Sequence, residues 1–241
     1  MFSIKCDVSN VSRAFDRYLS ETEFAQVRAL TETARDVRAG FQDEMQSAFD
    51  QPTRWTLNAF RVIPATRSRP YSDVDLKDAA AARHYLRTQV RGGPRPKTGI
   101  ERLLTSRLRY HGIIQTVTPA RGARLNKHGN WSRGQMNQVL SAVQSQGDRR
   151  ANTTEASRKR NRRRAGYFVP REGSKLSPGV YKRGARGKLT KILHFSEAQA
   201  RYEKRLPVQT VAERVVKRQL PKNLRKFMRE AARNAARGRR R

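Results

Sequence analysis

From residue 91 onward the chain carries 40 Lys and Arg against eight Asp and Glu, whereas its first 90 residues hold 13 against 12. A dense single core does not absorb such a back half. Like charges held together repel, so the basic part must meet polyanions or acidic neighbours. Apolar residues make up only 36% of the 241, below the about 45–50% of an average globular domain. This material suits one modest folded body with basic extensions, or two small lobes. A free-standing metabolic enzyme has no use for a net charge of +33.

The clearest element is a helix over 21–49. Ser20 and Glu23 have the spacing of a capping box, in which each side chain satisfies an orphan N–H of the other's turn. Phe24, Val27, Leu30, Ala34, Val37, Phe41, Met45 and Phe49 recur every three or four residues, which makes one apolar stripe. Gly40 costs this helix about 1 kcal/mol relative to Ala, and Pro52 ends it. Thr53 to Ala65 alternates and reads as a strand or half a hairpin, with Tyr71 to Leu76 as partner. A short Ala-rich helix follows from about Asp78 to Val90, and Gly92 to Pro96 is a loop or linker.

Ile100 to Tyr110 and the residues after Ser132 supply two more short helices. Residues 146–165 contain no large apolar side chain and eight Arg or Lys, so alone they cannot offset their ordering entropy and should form a mobile arm. Three short strands are expected at 166–169, 179–181 and 189–195. Two helices should close the chain, one begun by Pro207 and one restarted at Leu220-Pro221. The expected class is α+β: a long amphipathic N-terminal helix, short antiparallel strands, two C-terminal helices and a basic extended arm. Charge and pattern divide it into residues 1–90, 91–165 and 166–241.

Catalytic patterns are sparse. His84, His111, His128 and His194 stand apart, with no metal-ligand spacing. Asp73, Asp75 and Asp78 have the makings of a divalent-ion site of nuclease type, but suit the solvated face of a strand entering a helix far better. Gly92-Gly93-Pro94 lacks the Lys and Ser/Thr of a phosphate loop. The lone Cys6 excludes an internal disulfide and a cysteine-based zinc site. No stretch reaches the about 18 apolar residues of a membrane span, and Met1 to Lys5 lacks the apolar core of a signal peptide. No enzyme activity, cofactor or metal is expected.

The basic residues are the stronger signal. Arg149, Arg150, Arg158, Lys159, Arg160, Arg162, Arg163 and Arg164, with Arg237, Arg239, Arg240 and Arg241 in the tail, are the candidate contacts to nucleic acid or to acidic partners. Arg grips phosphate as a bidentate fork, and each neutralised phosphate releases counterions, which gives sequence-independent, salt-sensitive attachment. Tyr167, Phe168, Tyr181 and Phe195 have the rings to stack bases, although their alternation suits a sheet core better. Phe24, Val27, Leu30, Val37, Phe41 and Met45, with Val211, Val215, Leu224 and Phe227, are the candidate packing residues. They serve the core, contacts between subunits, or both.

Leu206-Pro207-Val208 through Val215, Leu220-Pro221 and Leu224 to Ala232 resemble the C-terminal part of the minor tail protein Z family of lambda-like phages, the tail completion proteins. Phe49 to Asn58, Ser132 to Gln135 and Tyr167 to Val169 are similar to virion proteins of proteobacterial prophages. The likeness covers about two thirds of the chain, and residues 91–165 are longer and more basic than that family's pattern. It implies a virion structural protein of the head–tail junction, assembled in the host cytoplasm as a homo-oligomeric ring around the DNA channel. Its partners would be the portal or connector, the tail tube or its terminator, and packaged double-stranded DNA, with no membrane. Neck ring, tube-completion ring and adaptor remain open. The rival reading is a non-specific nucleic-acid-binding protein of packaging or ribosomal type, acting outside a neck.

Overall fold

A computed structural model describes residues 9–77, 85–108, 110, 113–160, 166–171 and 173–237. The fold is α+β, in two compact units: residues 1–84 with 205–241, and residues 85–204. This division departs from the charge boundaries, because the C-terminal helix returns to the N-terminal one and residues 91–165 share a unit with the strands that follow.

In the first unit, helix α1 (Ser9–Ala48) packs along α7 (Val208–Arg237). α1 starts well before Ser20, so the Ser20/Glu23 pair lies inside the helix rather than at its cap. The seam against α7 uses small residues. Ala25 and Ala29 cluster with Phe227 and Ala231, and a Cβ on Gly40 would come within 3.0 Å of Val215 and 3.4 Å of Val211. Gly40 is therefore a seat for α7, not simply a weak point in the helix. The adjoining face carries Val37, Phe41 and Met45, all buried, and Phe41 meets Phe60 with ring centroids 4.8 Å apart.

Phe60 belongs to a hairpin of β1 (Phe60–Ile63) and β2 (Asp73–Leu76). The expected strand over Thr53 to Ala65 is thus shortened by a helical turn, α2 (Arg54–Leu57). Thr53 caps that turn, its Oγ1 accepting from the Thr56 N–H at 3.2 Å; a local cap outweighs alternation here.

The packing expectations divide. Val211 and Phe227 are buried, and Val27, Leu30, Val215 and Leu224 are half-buried. Phe24 is 48% exposed, because the seam runs through neighbouring Ala25, where a small side chain lets the helices approach.

The second unit is built on an antiparallel sheet ordered β4-β7-β6-β5: β4 (Thr116–Pro119), β5 (Tyr167–Phe168), β6 (Gly179–Arg183) and β7 (Leu189–Ser196). Helices α4 (Gly99–Arg107) and α5 (Arg133–Ala142) contribute Leu104, Val139 and Leu140 to a core with Ile114, Val180, Ile192, Leu193 and Phe195. Ser132 is the N-cap of α5 but makes no side-chain capping bond. Helix α3 (Leu86–Arg91) is the described part of the expected Ala-rich helix. The presumed linker after it forms β3 (Gly93–Pro94), paired with β8 (Arg201–Tyr202).

One buried ion pair ties this unit together. Glu101, 1% exposed, receives Arg95 in a fork of two 2.8 Å bonds. Its Oε1 also accepts the Val117 N–H of β4 at 2.9 Å, and its Oε2 accepts the N–H and hydroxyl of Thr98, the cap of α4. Burial alone would raise the carboxyl's pKa, but Arg95, Val117 and Thr98 together outweigh it and hold the pKa at about 2. The bond from Glu101 in turn raises the Arg95 pKa against its own burial.

Candidate nucleic-acid interface

α7 carries nine Lys and Arg against Glu213 and Glu230. Its partner α1 holds five Arg against seven Asp and Glu. Pro221 was expected to separate two helices, but α7 runs straight through it. Proline deletes one backbone donor and crowds the preceding turn. Contacts just beyond offset this: Asn223 Nδ2 donates to Thr33 Oγ1 at 3.1 Å and to Asp36 Oδ2 at 2.9 Å on α1, and Arg225 Nε donates to the Pro221 carbonyl at 3.1 Å.

The helix period arranges the cations after Pro221 on one side. At about 100° per residue, Lys222, Arg225, Lys226, Arg229 and Arg233 fall within an arc of about 100°, opposite Phe227 and Ala231. All five are exposed. At about 1.5 Å per residue the face is about 16 Å long. Among the described residues none of the five forms an ion pair. The seam beneath is fixed by Arg28, whose guanidinium lies 4.4 Å from the Phe227 ring centroid and bonds Glu230 at 3.0 Å.

Before Pro221 the surroundings differ. Arg214 reaches Glu44 at 3.5 Å. Arg214 and Arg218 line a cavity of about 270 Å³ together with Asp36 and Asp43 of α1.

The expected arm is partly folded. Residues 149–151 form a 3-10 turn begun by Asp148, and α6 spans Glu155–Arg160. The stretch between is tied to the end of α5: Ser141 Oγ donates to the Ala151 carbonyl at 2.9 Å, Gln144 Nε2 to the Thr153 carbonyl at 2.7 Å, and the Gln146 N–H to Asn152 Oδ1 at 3.1 Å. Composition missed this because polar side chains, not apolar burial, do the tying. Arg149, Arg150, Lys159 and Arg160 are exposed. The side chains of Arg158 and Arg237 lie outside the described residues, as do Arg162, Arg163, Arg164, Arg239, Arg240 and Arg241.

The aromatic residues are occupied. Phe195 is in the core. Tyr181 is buried, its hydroxyl donating to the Ser177 carbonyl at 3.0 Å, and Phe168 stacks on it at 6.0 Å. Lys182, Arg183 and Lys191 lie over the rings of Tyr167, Phe168 and Tyr181. These faces are already capped by the chain's own cations.

Asp73 pairs with Arg69 at 2.9 Å and Asp75 with Arg61 at 3.9 Å on the outer side of the β1–β2 hairpin; Asp78, His84, His111 and Cys6 lie outside the described residues. Among the described residues no three His, Cys, Asp or Glu are grouped to hold a metal ion. Among them, too, no helix is long and apolar enough to cross a membrane.

No protein-family model matches this chain, and no match is found among curated proteins or solved structures. The α7 face is therefore weighed on its own geometry. Sequence reasoning sought charge in runs and so missed cations spaced three and four apart; plotting residues 222–233 on a helical wheel finds them.

Proposed function

We propose that this protein is a structural, non-enzymatic virion component that grips the DNA backbone without regard to sequence, at the head–tail junction of a tailed phage. The observation that carries the DNA reading is the cationic face of α7 from Lys222 to Arg233, which has no carboxylate partner among the described residues. Over about 16 Å a B-form duplex presents about nine phosphates on its two strands, so five cations match roughly the half that faces them. Rigid presentation on a packed helix lowers the ordering cost that a loose arm would incur on binding. The virion location, a ring of copies and neighbours such as the portal or tail tube rest on the resemblance of residues 206–232 and 49–58.

Two measurements test these parts separately. Fluorescence anisotropy with two duplexes of unrelated sequence should give nearly equal affinities. With five phosphate contacts, both should weaken about 500-fold between 50 and 200 mM salt. Strong preference for one sequence, or indifference to salt, would refute the backbone reading. Electron microscopy of particles carrying a tagged copy should place label at the head–tail junction. Tight DNA binding with no label on particles would favour the packaging-type alternative.

A further inference from the structure

Between Glu101 and Asp148 the chain holds seven Lys and Arg and no Asp or Glu, and Glu101 itself is buried against Arg95. Within that stretch Arg124 to Ser132 fold into a short antiparallel ribbon. The Ser132 N–H donates to the Arg124 carbonyl at 2.7 Å, Leu125 bridges Trp131, and the Asn126 N–H donates to the Asn130 carbonyl at 2.8 Å. Asn126 Oδ1 closes the tip by accepting the His128 and Asn130 N–H groups at 2.9 and 3.0 Å. At the root, one oxygen of buried Gln135 accepts the Arg124 N–H at 2.7 Å and the Trp131 Nε1–H at 2.8 Å. Gly122 seats the root on β7, where a Cβ would come within 2.5 Å of Thr190 Cγ2. Cations flank both arms of this ribbon. Arg121 and Arg124 lead into it, Lys127 is in its tip and Arg133 follows it; all four are exposed, and none forms an ion pair among the described residues.

We infer that this ribbon is a second contact to duplex DNA, entering the major groove and meeting phosphates of both strands. The major groove, about 12 Å wide, admits a two-stranded β-ribbon, whereas the undistorted minor groove, about 6 Å wide, is too narrow. Cations on each arm then face the phosphates of each groove wall, which positions the protein without reading sequence. The ribbon's backbone is already held by Asn126 and Gln135, so little order remains to be imposed on binding. The inference rests on the DNA reading above but uses no residue of α7. Non-specific binding is only about 10⁻⁴–10⁻⁶ M at physiological salt even for whole proteins. Four contacts therefore add to the α7 face and steepen its salt dependence; they do not replace it.

Two measurements on the full chain test it. Arg121→Gln, Arg124→Gln, Lys127→Gln and Arg133→Gln combined should flatten the slope of log Kobs against log salt by about 3.6. The loss of affinity between 50 and 200 mM salt should then shrink about 150-fold. The melting temperature should stay in place, because exposed side chains are exchanged. At about 50 mM salt and saturating protein, wild type should shield guanine N7, an acceptor that lies in the major groove, from methylation by dimethyl sulfate. The four-fold variant should leave it open. A slope that this variant does not change, while loss of Lys222, Arg225, Arg229 and Arg233 flattens it, would overturn the inference and leave the α7 face standing. A wild-type slope near zero would remove both, and guanine N7 left open by wild type would overturn the groove placement.

Discussion

The two halves of α7 are both basic but differ in environment. Before Pro221, Arg214 pairs with Glu44 and Arg218 lines the same cavity as Asp36 and Asp43; after it, Lys222, Arg225, Lys226, Arg229 and Arg233 are exposed and have no carboxylate partner among the described residues. Arg214 ties α7 to α1, and on the proposed reading the second group is left for a polyanion. On that reading the net charge meets phosphate, and the position of α1's acids picks out which α7 cations are left to do so.

The heaviest blow to the difference is to remove the seam that presents the second half. Phe227→Ala should destabilise the helix pair by about 4 kcal/mol and abolish DNA binding with it, read by thermal unfolding and anisotropy together. Unchanged stability would mean that Phe227 does not anchor the face.

Glu101→Gln strikes the other unit and serves as a control. It leaves the half-buried Arg95 guanidinium half-paired, at a cost of about 3 kcal/mol, while the DNA affinity of folded protein should not change. The folded pKa of about 2 lies below the ordinary 4.5. The ionised carboxylate's contribution is therefore complete above about pH 4.5 and lost as pH falls from there toward 2. Wild-type unfolding midpoints should drop over that window, and the Gln variant should drop less.

Gly40→Val fills the close approach between α1 and Val215, and should cost about 1–3 kcal/mol by overpacking. It lies beside the first half of α7, so the salt dependence of DNA binding should survive at temperatures where the protein is folded.

Asp43→Asn with Glu44→Gln is the mildest change and sharpens the comparison most. Freed from these carboxylates, Arg214 and Arg218 should act more like the second half. Stability should fall by no more than about 1 kcal/mol, as for exposed ion pairs, while DNA affinity rises a few-fold at low salt. An affinity that falls instead would show that the acids do not mask these arginines.

Much of this architecture could be read from residue order. The Val37, Phe41 and Met45 stripe, the partnership of Tyr71–Leu76 with the preceding strand, and β5 to β7 follow from local periodicity. What escaped was settled by long-range pairing. β4 is four residues of Thr-Val-Thr-Pro that become a strand by bonding β7 and by donating the Val117 N–H to Glu101. Pro221 marks a break by every local rule, yet Asn223 on Thr33 and Asp36 carries the helix past it. Of the candidate contacts, Arg149, Arg150, Lys159 and Arg160 are exposed. The α7 cations went unnoticed because their pattern is a face rather than a run.

Salt titration of duplex binding tests the central claim most directly. Wild type should show a slope of log Kobs against log salt of about −4.5 or steeper, one contact contributing about −0.9. Arg214→Gln with Arg218→Gln should leave that slope in place. Lys222→Gln, Arg225→Gln, Arg229→Gln and Arg233→Gln combined should flatten it by about 3.6. Equal flattening by the two sets, or flattening by the first alone, would contradict the account.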